Sequence, residues 1–169
     1  MRKVDKRKWW NQLDVQWRMV FKNAIRIAHF KGEPDDSNLE KIFGLRKLNG
    51  SHIAPASKDN ISTLEPLRPL TQLQDLECNY IKISDLEALR PLTQLRKLTC
   101  WDNQISDLEP LCGLTQLLFL DCRWNQISHL EPLCSLTQLQ TLIYGDNPVS
   151  PAEIDQFKKA VPNCTVRKW

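Results

Sequence analysis

Residues Ile105–Gln126 read ISDLEPLCGLTQLLFLDCRWNQ, and residues Ile83–Gln104 just before them read ISDLEALRPLTQLRKLTCWDNQ. The string LTQL recurs at 70–73, 92–95, 114–117 and 136–139, so the chain repeats itself every 22 residues. Aligned on Ile61, Ile83, Ile105, Ile127 and Val149, the units follow L-x-x-L-x-x-L-x-C-x-x-N-x-I, filled in one case by Leu114, Leu117, Leu120, Cys122, Asn125 and Ile127. One such coil cannot enclose its own apolar side, because ordering its backbone costs more than its few buried side chains return. Coils must therefore stack, sharing burial and backbone hydrogen bonds with their neighbours. The letters that persist report that stacking; the letters that change report what the stack presents.

The L-x-C segments around 75–79, 97–101, 119–123 and 141–145 are short strands of one parallel sheet. Alternation turns Leu76/Cys78, Leu98/Cys100, Leu120/Cys122 and Leu142/Tyr144 inward. Pro66, Pro110 and Pro132 lack an amide hydrogen, so the LEPL pieces cannot extend a strand and are expected as turns or 3₁₀ segments on the convex side. Asn103, Asn125 and Asn147 stand where an inward amide can bond the tight turn after each strand; the first full unit has Ile81 there, so its turn needs another partner or another shape. A worn rung is visible in LRKLNGSHI at 45–53, followed by six extra residues within SHIAPASKDN, a candidate contact loop or a tolerated insertion.

The pattern I-S-D-L-x-P-L-x-x-L-T-x-L over roughly residues 45–149 resembles the 22-residue leucine-rich repeats of bacterial internalins, a class related to the eukaryotic phosphatase-regulator repeats. The resemblance implies an α/β solenoid, a horseshoe with short parallel strands lining its concave face. It also implies a non-catalytic protein-binding role, such as an inhibitor or immunity protein, a secreted effector or an assembly subunit. The start WWNQLDVQW…F followed by LEKIFGL resembles the helical leader of small bacterial proteins of this kind.

Three parts are expected: a helical cap over 1–44, the solenoid over 45–148 and a C-terminal cap over 149–169. Trp10, Leu13, Trp17, Phe21, Ala24 and Ala28 recur at three- and four-residue spacing, predicting one long amphipathic helix closed by Gly32, with Asp14 pairing to Arg18 across a turn. Ser37 with Glu40 predicts a second, short helix ending near Gly44. At the other end SPAE (Ser150–Glu153) is a capping box, Ile154, Phe157 and Val161 give the following helix an apolar face, and CTVRKW supplies a last edge strand.

The alternation that buries Leu98 and Cys100 turns the variable positions outward. The candidate partner-binding residues are Glu77, Asn79 and Tyr80; Lys97, Thr99 and Trp101; Phe119, Asp121, Arg123 and Trp124; and Ile143. Aromatic and arginine side chains at outward positions are the types that dominate protein interfaces. An alternative is that the rings fold back over the sheet or against the N-terminal helix. Five rungs about 4.8 Å apart make a strip roughly 20–25 Å long, suited to a protein element and not to a small molecule.

Other chemistries find little support. Cys78, Cys100 and Cys122 form an inward column 22 residues apart, without any C-x-x-C, which reads as thiol packing and not as a metal site. Cys112 and Cys134 recur on the convex side, where a disulfide is the less favoured reading. His29, His52 and His129 fall into no nucleophile–base pattern, no glycine-rich phosphate loop exists, and no enzyme activity, cofactor or metal is expected. The net charge of +3 is uneven: residues 1–31 hold nine basic and two acidic side chains, a net +7, leaving −4 for the rest. Arg18, Lys22 and Arg26 at four-residue spacing make nucleic-acid or anionic-membrane contact by the first helix the alternative function. The basic start leads into an amphipathic stretch and not an apolar signal core, so the cytoplasm is the expected address.

Overall fold

A computed structural model describes residues 4–50, 61 and 63–169. The six strands β1 (Lys47–Asn49), β2 (Asp75–Glu77), β3 (Lys97–Thr99), β4 (Phe119–Asp121), β5 (Thr141–Ile143) and β6 (Thr165–Arg167) form one open sheet in sequence order. Every neighbouring pair is parallel, and Leu48, Leu76, Leu98, Leu120, Leu142 and Val166 stand in one register column. The strands are only three residues long, but rung-to-rung bonds continue past them, as from Cys78 N to the Thr99 carbonyl at 2.8 Å and from Tyr80 N to that of Trp101 at 3.2 Å.

The convex side is made of short 3₁₀ segments at Glu65–Leu67, Glu87–Leu89, Glu109–Leu111 and Glu131–Ser135. Asp85 and Asp107 start two of them by accepting from the amides of Glu87 and Glu109 at 2.7 and 2.8 Å. Arg68 and Arg90 pair with Glu65 and Glu87 three residues earlier. The apolar interior between the two sides is continuous from Trp10 to Val161, and most of its leucines are fully enclosed.

The asparagine column does what its position suggests. Asn103 Nδ2 reaches the carbonyls of Cys78 and Cys100 at 2.9 Å, while its Oδ1 accepts from Ile81 and Ile83 at 3.2 Å. Asn125 and Asn147 repeat the pattern one and two rungs on. The unit with Ile81 solves its missing amide in both of the expected ways. It borrows Asn103, and its turn holds two left-handed residues, Tyr80 and Lys82, where the later turns hold one each.

The N-terminal cap departs from expectation. Instead of one long helix there are two, α1 (Lys6–Gln12) and α2 (Val15–Ala24), broken at Leu13. Asp14 causes the break: its carboxylate accepts from the Trp17 amide at 2.8 Å as the N-cap of α2, and it is not the partner of Arg18. Arg18 bonds instead to the carbonyls of Leu13 and Asn11 and to Glu33. The end of α2 comes before Gly32, with Arg26 at φ 62° just beyond it. The third helix, α3 (Asp36–Phe43), is capped by Asp35 and not by Ser37, and ends at Gly44 as expected. Trp9 and Trp17 donate their indole hydrogens to the carbonyls of Pro66 and Thr63 at 3.2 Å, pinning this lid to the first coil.

At the other end α4 (Pro151–Ala160) is capped by Ser150, whose hydroxyl accepts from the Glu153 amide at 3.2 Å. The reciprocal half of the expected capping box is replaced by a longer reach: Glu153 Oε2 accepts from the Leu130 amide at 2.8 Å. His129 stands in that rung where Asp85 and Asp107 stand in earlier ones, and Glu153 reaches it from the cap, bonding the Leu130 amide one residue before the one the aspartates' position would serve. The expected insertion at 51–60 lies outside the described residues.

Candidate functional site

Across β2–β5 the inward column is Leu, Leu, Leu, Leu, and the flanking positions stand on the concave face. Asp75, Glu77, Lys97, Trp101, Phe119, Arg123 and Ile143 are half-buried there, while Tyr80 and Trp124 remain 51% and 42% exposed. Three candidates are more enclosed than outward phase alone suggests. Asn79, Thr99 and Asp121 keep less than a tenth of their surface, because the longer side chains of adjoining rungs close over short ones. Asn79 Oδ1 accepts from the Trp101 amide at 3.1 Å, and Asp121 is clasped by Arg123 through two bonds of 2.9 and 2.7 Å. Thr99 Oγ1 is buried without a hydrogen-bond partner among the described residues.

The face divides into two unlike halves. Near the lid it is charged: Lys97 bonds Glu77 at 3.2 Å, Lys47 lies 3.2 Å from Asp75, and Asn49 donates to Glu77 at 2.7 Å. These groups and Val20, Asn23 and Ala24 of α2 line a recess of about 640 Å³. Toward the C-terminal cap the face is aromatic. Ring centroids step from Tyr80 to Trp101 at 4.0 Å, on to Trp124 at 5.5 Å and to Trp169 at 6.4 Å. The Arg123 guanidinium lies 5.8 Å from the Trp101 ring and 5.3 Å from that of Trp124, oriented by the Asp121 carboxylate.

This ladder runs on a diagonal. Trp101 occupies the register column of Asn79, Arg123, Gly145 and Trp169, whereas Tyr80 and Trp124 occupy the next column, with Asp102 and Asp146. All four residues of that second column are left-handed, at φ 59°, 56°, 50° and 55° in chain order. Asp tolerates this conformation; a bulky aromatic does so at a cost of about 1–2 kcal/mol. Tyr80 and Trp124 are thus held where the turn alone would favour Asp or Asn, and the stacked rings and Arg123 offset the strain.

Trp169 escapes a reading based on the repeat, because its strand is offset from β5 by 24 residues and not 22; it is 67% exposed. The alternation T-V-R-K-W, with Val166 in the leucine column, is the signal that places it outward. Gly145 lets β6 approach, since a Cβ there would stand 2.1 Å from the Lys168 carbonyl oxygen.

The thiol column is inert by construction. Burial pushes Cys78 and Cys122 up to about 12 and raises Cys100 well above the ordinary thiol value. All six cysteines are free, Cys112 and Cys134 included. Among the described residues no group of three or more His, Cys, Asp or Glu is placed to hold a metal ion, and no helix is long and apolar enough to cross a membrane. Of the basic stripe expected on the first helix, Arg18 and Lys22 are bonded within the lid, Lys22 to the carbonyl of Gly32 at 2.8 Å, and Arg26 lies outside α2.

Comparison with known proteins agrees with this geometry. A family model described as Leucine Rich repeats (2 copies) matches residues 93–132. An internalin (inlF) of Listeria monocytogenes superposes with a TM-score of 0.65 at 29% identity, over 79% of this chain and 37% of that one. A leucine-rich repeat protein of Leptospira interrogans gives 0.64 at 25%, over 79% and 33%. The chain thus spans about a third of the length of these two. Internalin C2 of Listeria monocytogenes covers 98% of this chain and 88% of its own at 0.59 and 19% identity, a likeness of fold alone. No curated protein matches by sequence. Four registered 22-residue units, an asparagine-bonded turn after each of β2–β5 and these structural neighbours identify the chain as a leucine-rich repeat protein of the bacterial kind.

Proposed function

We propose that the protein is a non-catalytic binding module that holds another protein against its concave face, in the manner of an inhibitor, immunity protein or assembly subunit. The observation that carries this is the outward ladder of Tyr80, Trp101, Trp124 and Trp169 around Arg123. Large rings and a pre-oriented guanidinium are the groups that dominate protein recognition, and two of these rings occupy backbone positions that favour smaller residues. Folds of this type commonly serve as protein-interaction modules, which supports the same reading. A reducing compartment such as the cytoplasm goes with six unpaired thiols.

The test is capture of the native partner by Trp101→Ala and Trp124→Ala variants. Each is expected to weaken binding by about 2 kcal/mol while leaving the molecule folded. Arg123→Ala is a poorer probe, because it strands the buried Asp121 carboxylate without its partner. Leu120→Ala, in the core beneath the ladder, is the contrast: it should destabilise by about 2–5 kcal/mol. Undiminished capture by both tryptophan variants would refute the concave assignment.

A further inference from the structure

The kind of partner can be narrowed, on the premise that the concave face binds protein. The four rings do not form a flat shelf. Successive planes are inclined by 70°, 54° and 57°, and the rings pack on one another edge to face, with Tyr80 and Trp124 standing out as exposed ridges. Bases and sugars stack by laying a face on a ring, which favours open, parallel platforms. Prolines in an extended left-handed helix instead dock on surfaces ridged by inclined aromatic rings.

The spacing agrees. Tyr80 and Trp124 share one turn position two rungs apart, about 9.6 Å at ~4.8 Å per rung. A polyproline II helix returns to the same edge every three residues, or about 9.3 Å. Asp102 and Asp146 alternate with the two rings in that column at the same pitch, displaced by one rung. Both carboxylates are exposed and neither makes a hydrogen bond or ion pair among the described residues, Asp146 interacting with Arg123 only through space. They disfavour a phosphate backbone and favour a cationic edge. Trp169 extends the ladder beyond Trp124, so two turns of such a helix find rings along their length.

We propose that the ladder binds a proline-rich segment in the polyproline II conformation that carries Lys or Arg at every third position, prolines against the exposed rings of Tyr80 and Trp124 and the basic side chains on Asp102 and Asp146. One edge of the ligand answers the aromatics and another the carboxylates, both at one repeat.

The experiment is a calorimetric titration of the full chain with an end-capped peptide of four Pro-Pro-Lys triplets. Saturable one-site binding is expected, weakened roughly tenfold or more by Trp124→Ala. The pair Asp102→Asn with Asp146→Asn, which keeps a side chain suited to the left-handed backbone, should weaken it comparably and lessen its salt dependence. Four Gly-Gly-Lys triplets and four Pro-Pro-Glu triplets should not saturate the site. Equal binding of the Gly-Gly-Lys peptide, no binding of the Pro-Pro-Lys peptide, or indifference of both variants overturns the proposal. So does preferential binding of cellohexaose or of a thymidine dodecamer, which would hand the ladder to a glycan or to single-stranded nucleic acid. Failure here alongside Trp124-dependent capture of the native partner removes only the ligand class. Capture that ignores Trp124 and Trp101 removes the protein-binding reading itself.

Discussion

Asn103 carries more of this molecule than its size suggests. Its amide and carbonyl together serve the backbone of two turns, its own and that of Ile81, where the repeat has lost its asparagine. Replacing it by Ala leaves several buried backbone groups without partners at once. Asn103→Ala is therefore expected to lower stability by about 3–5 kcal/mol. Asn147→Ala should cost less, about 1–3 kcal/mol, since Asn147 also bridges two turns but is half-exposed and accepts from one amide, that of Ile127, where Asn103 accepts from two. Urea denaturation of the two variants gives the comparison, and equal losses would mean that the added bond to Ile81 and the deeper burial of Asn103 contribute nothing. The column is legible in the sequence because it repeats; the bond to the Ile81 amide is not, because it depends on the shape the adjacent turn takes without its own asparagine.

Among the elements, the C-terminal cap is held by a single carboxylate in addition to its strand and apolar face. The Leu130 amide and then His129 hold Glu153 below the usual glutamate value. A depressed carboxyl stabilises above its unfolded value, about 4.3, and loses that contribution as pH falls through the lower folded value. Glu153→Gln keeps an acceptor for the Leu130 amide and has no proton to gain. Thermal melts between about pH 6 and 3 should show the wild type falling more steeply than the variant below about pH 4. Parallel curves would mean that the bond contributes nothing to cap docking. The serine and proline that start this helix are readable in SPAE, yet the destination of Glu153 is not. It depends on the cap helix docking beside His129 and Leu130. Likewise the heptad-like run from Trp10 to Ala28 reads as one helix, and Asp14 divides it, because a side chain that can cap competes with one that merely continues a face.

Taken entire, the protein behaves as one stack. Its apolar interior runs unbroken from lid to cap, and three consecutive rungs place Cys78, Cys100 and Cys122 at its centre, all but sealed from solvent. In the native protein at about pH 8, near the ordinary thiol value, these thiols should resist alkylation while Cys112, Cys134 and Cys164 on the periphery react. When the column does react, its three members should do so at one common rate, since neighbouring coils open together. Mass spectrometry of alkylated peptides over time measures this directly. Three separate rates would show that the coils open singly.

Pitch and phase follow from the chain alone: 22 residues per coil, leucine and cysteine inward, proline on the convex side, asparagine after three of the strands. Those are local constraints, imposed by a two-residue alternation and a missing amide hydrogen, and they hold wherever the coil is placed. Which outward residues meet is a property of the folded stack. Side chains about 22 residues apart in the chain come within one strand spacing, and the contacts depend on their lengths and on diagonals between columns. Hence Thr99 and Asp121 sank beneath their neighbours, Arg123 found a carboxylate to orient it, and Trp169 joined a ladder whose other rings lie 45 or more residues away in the chain.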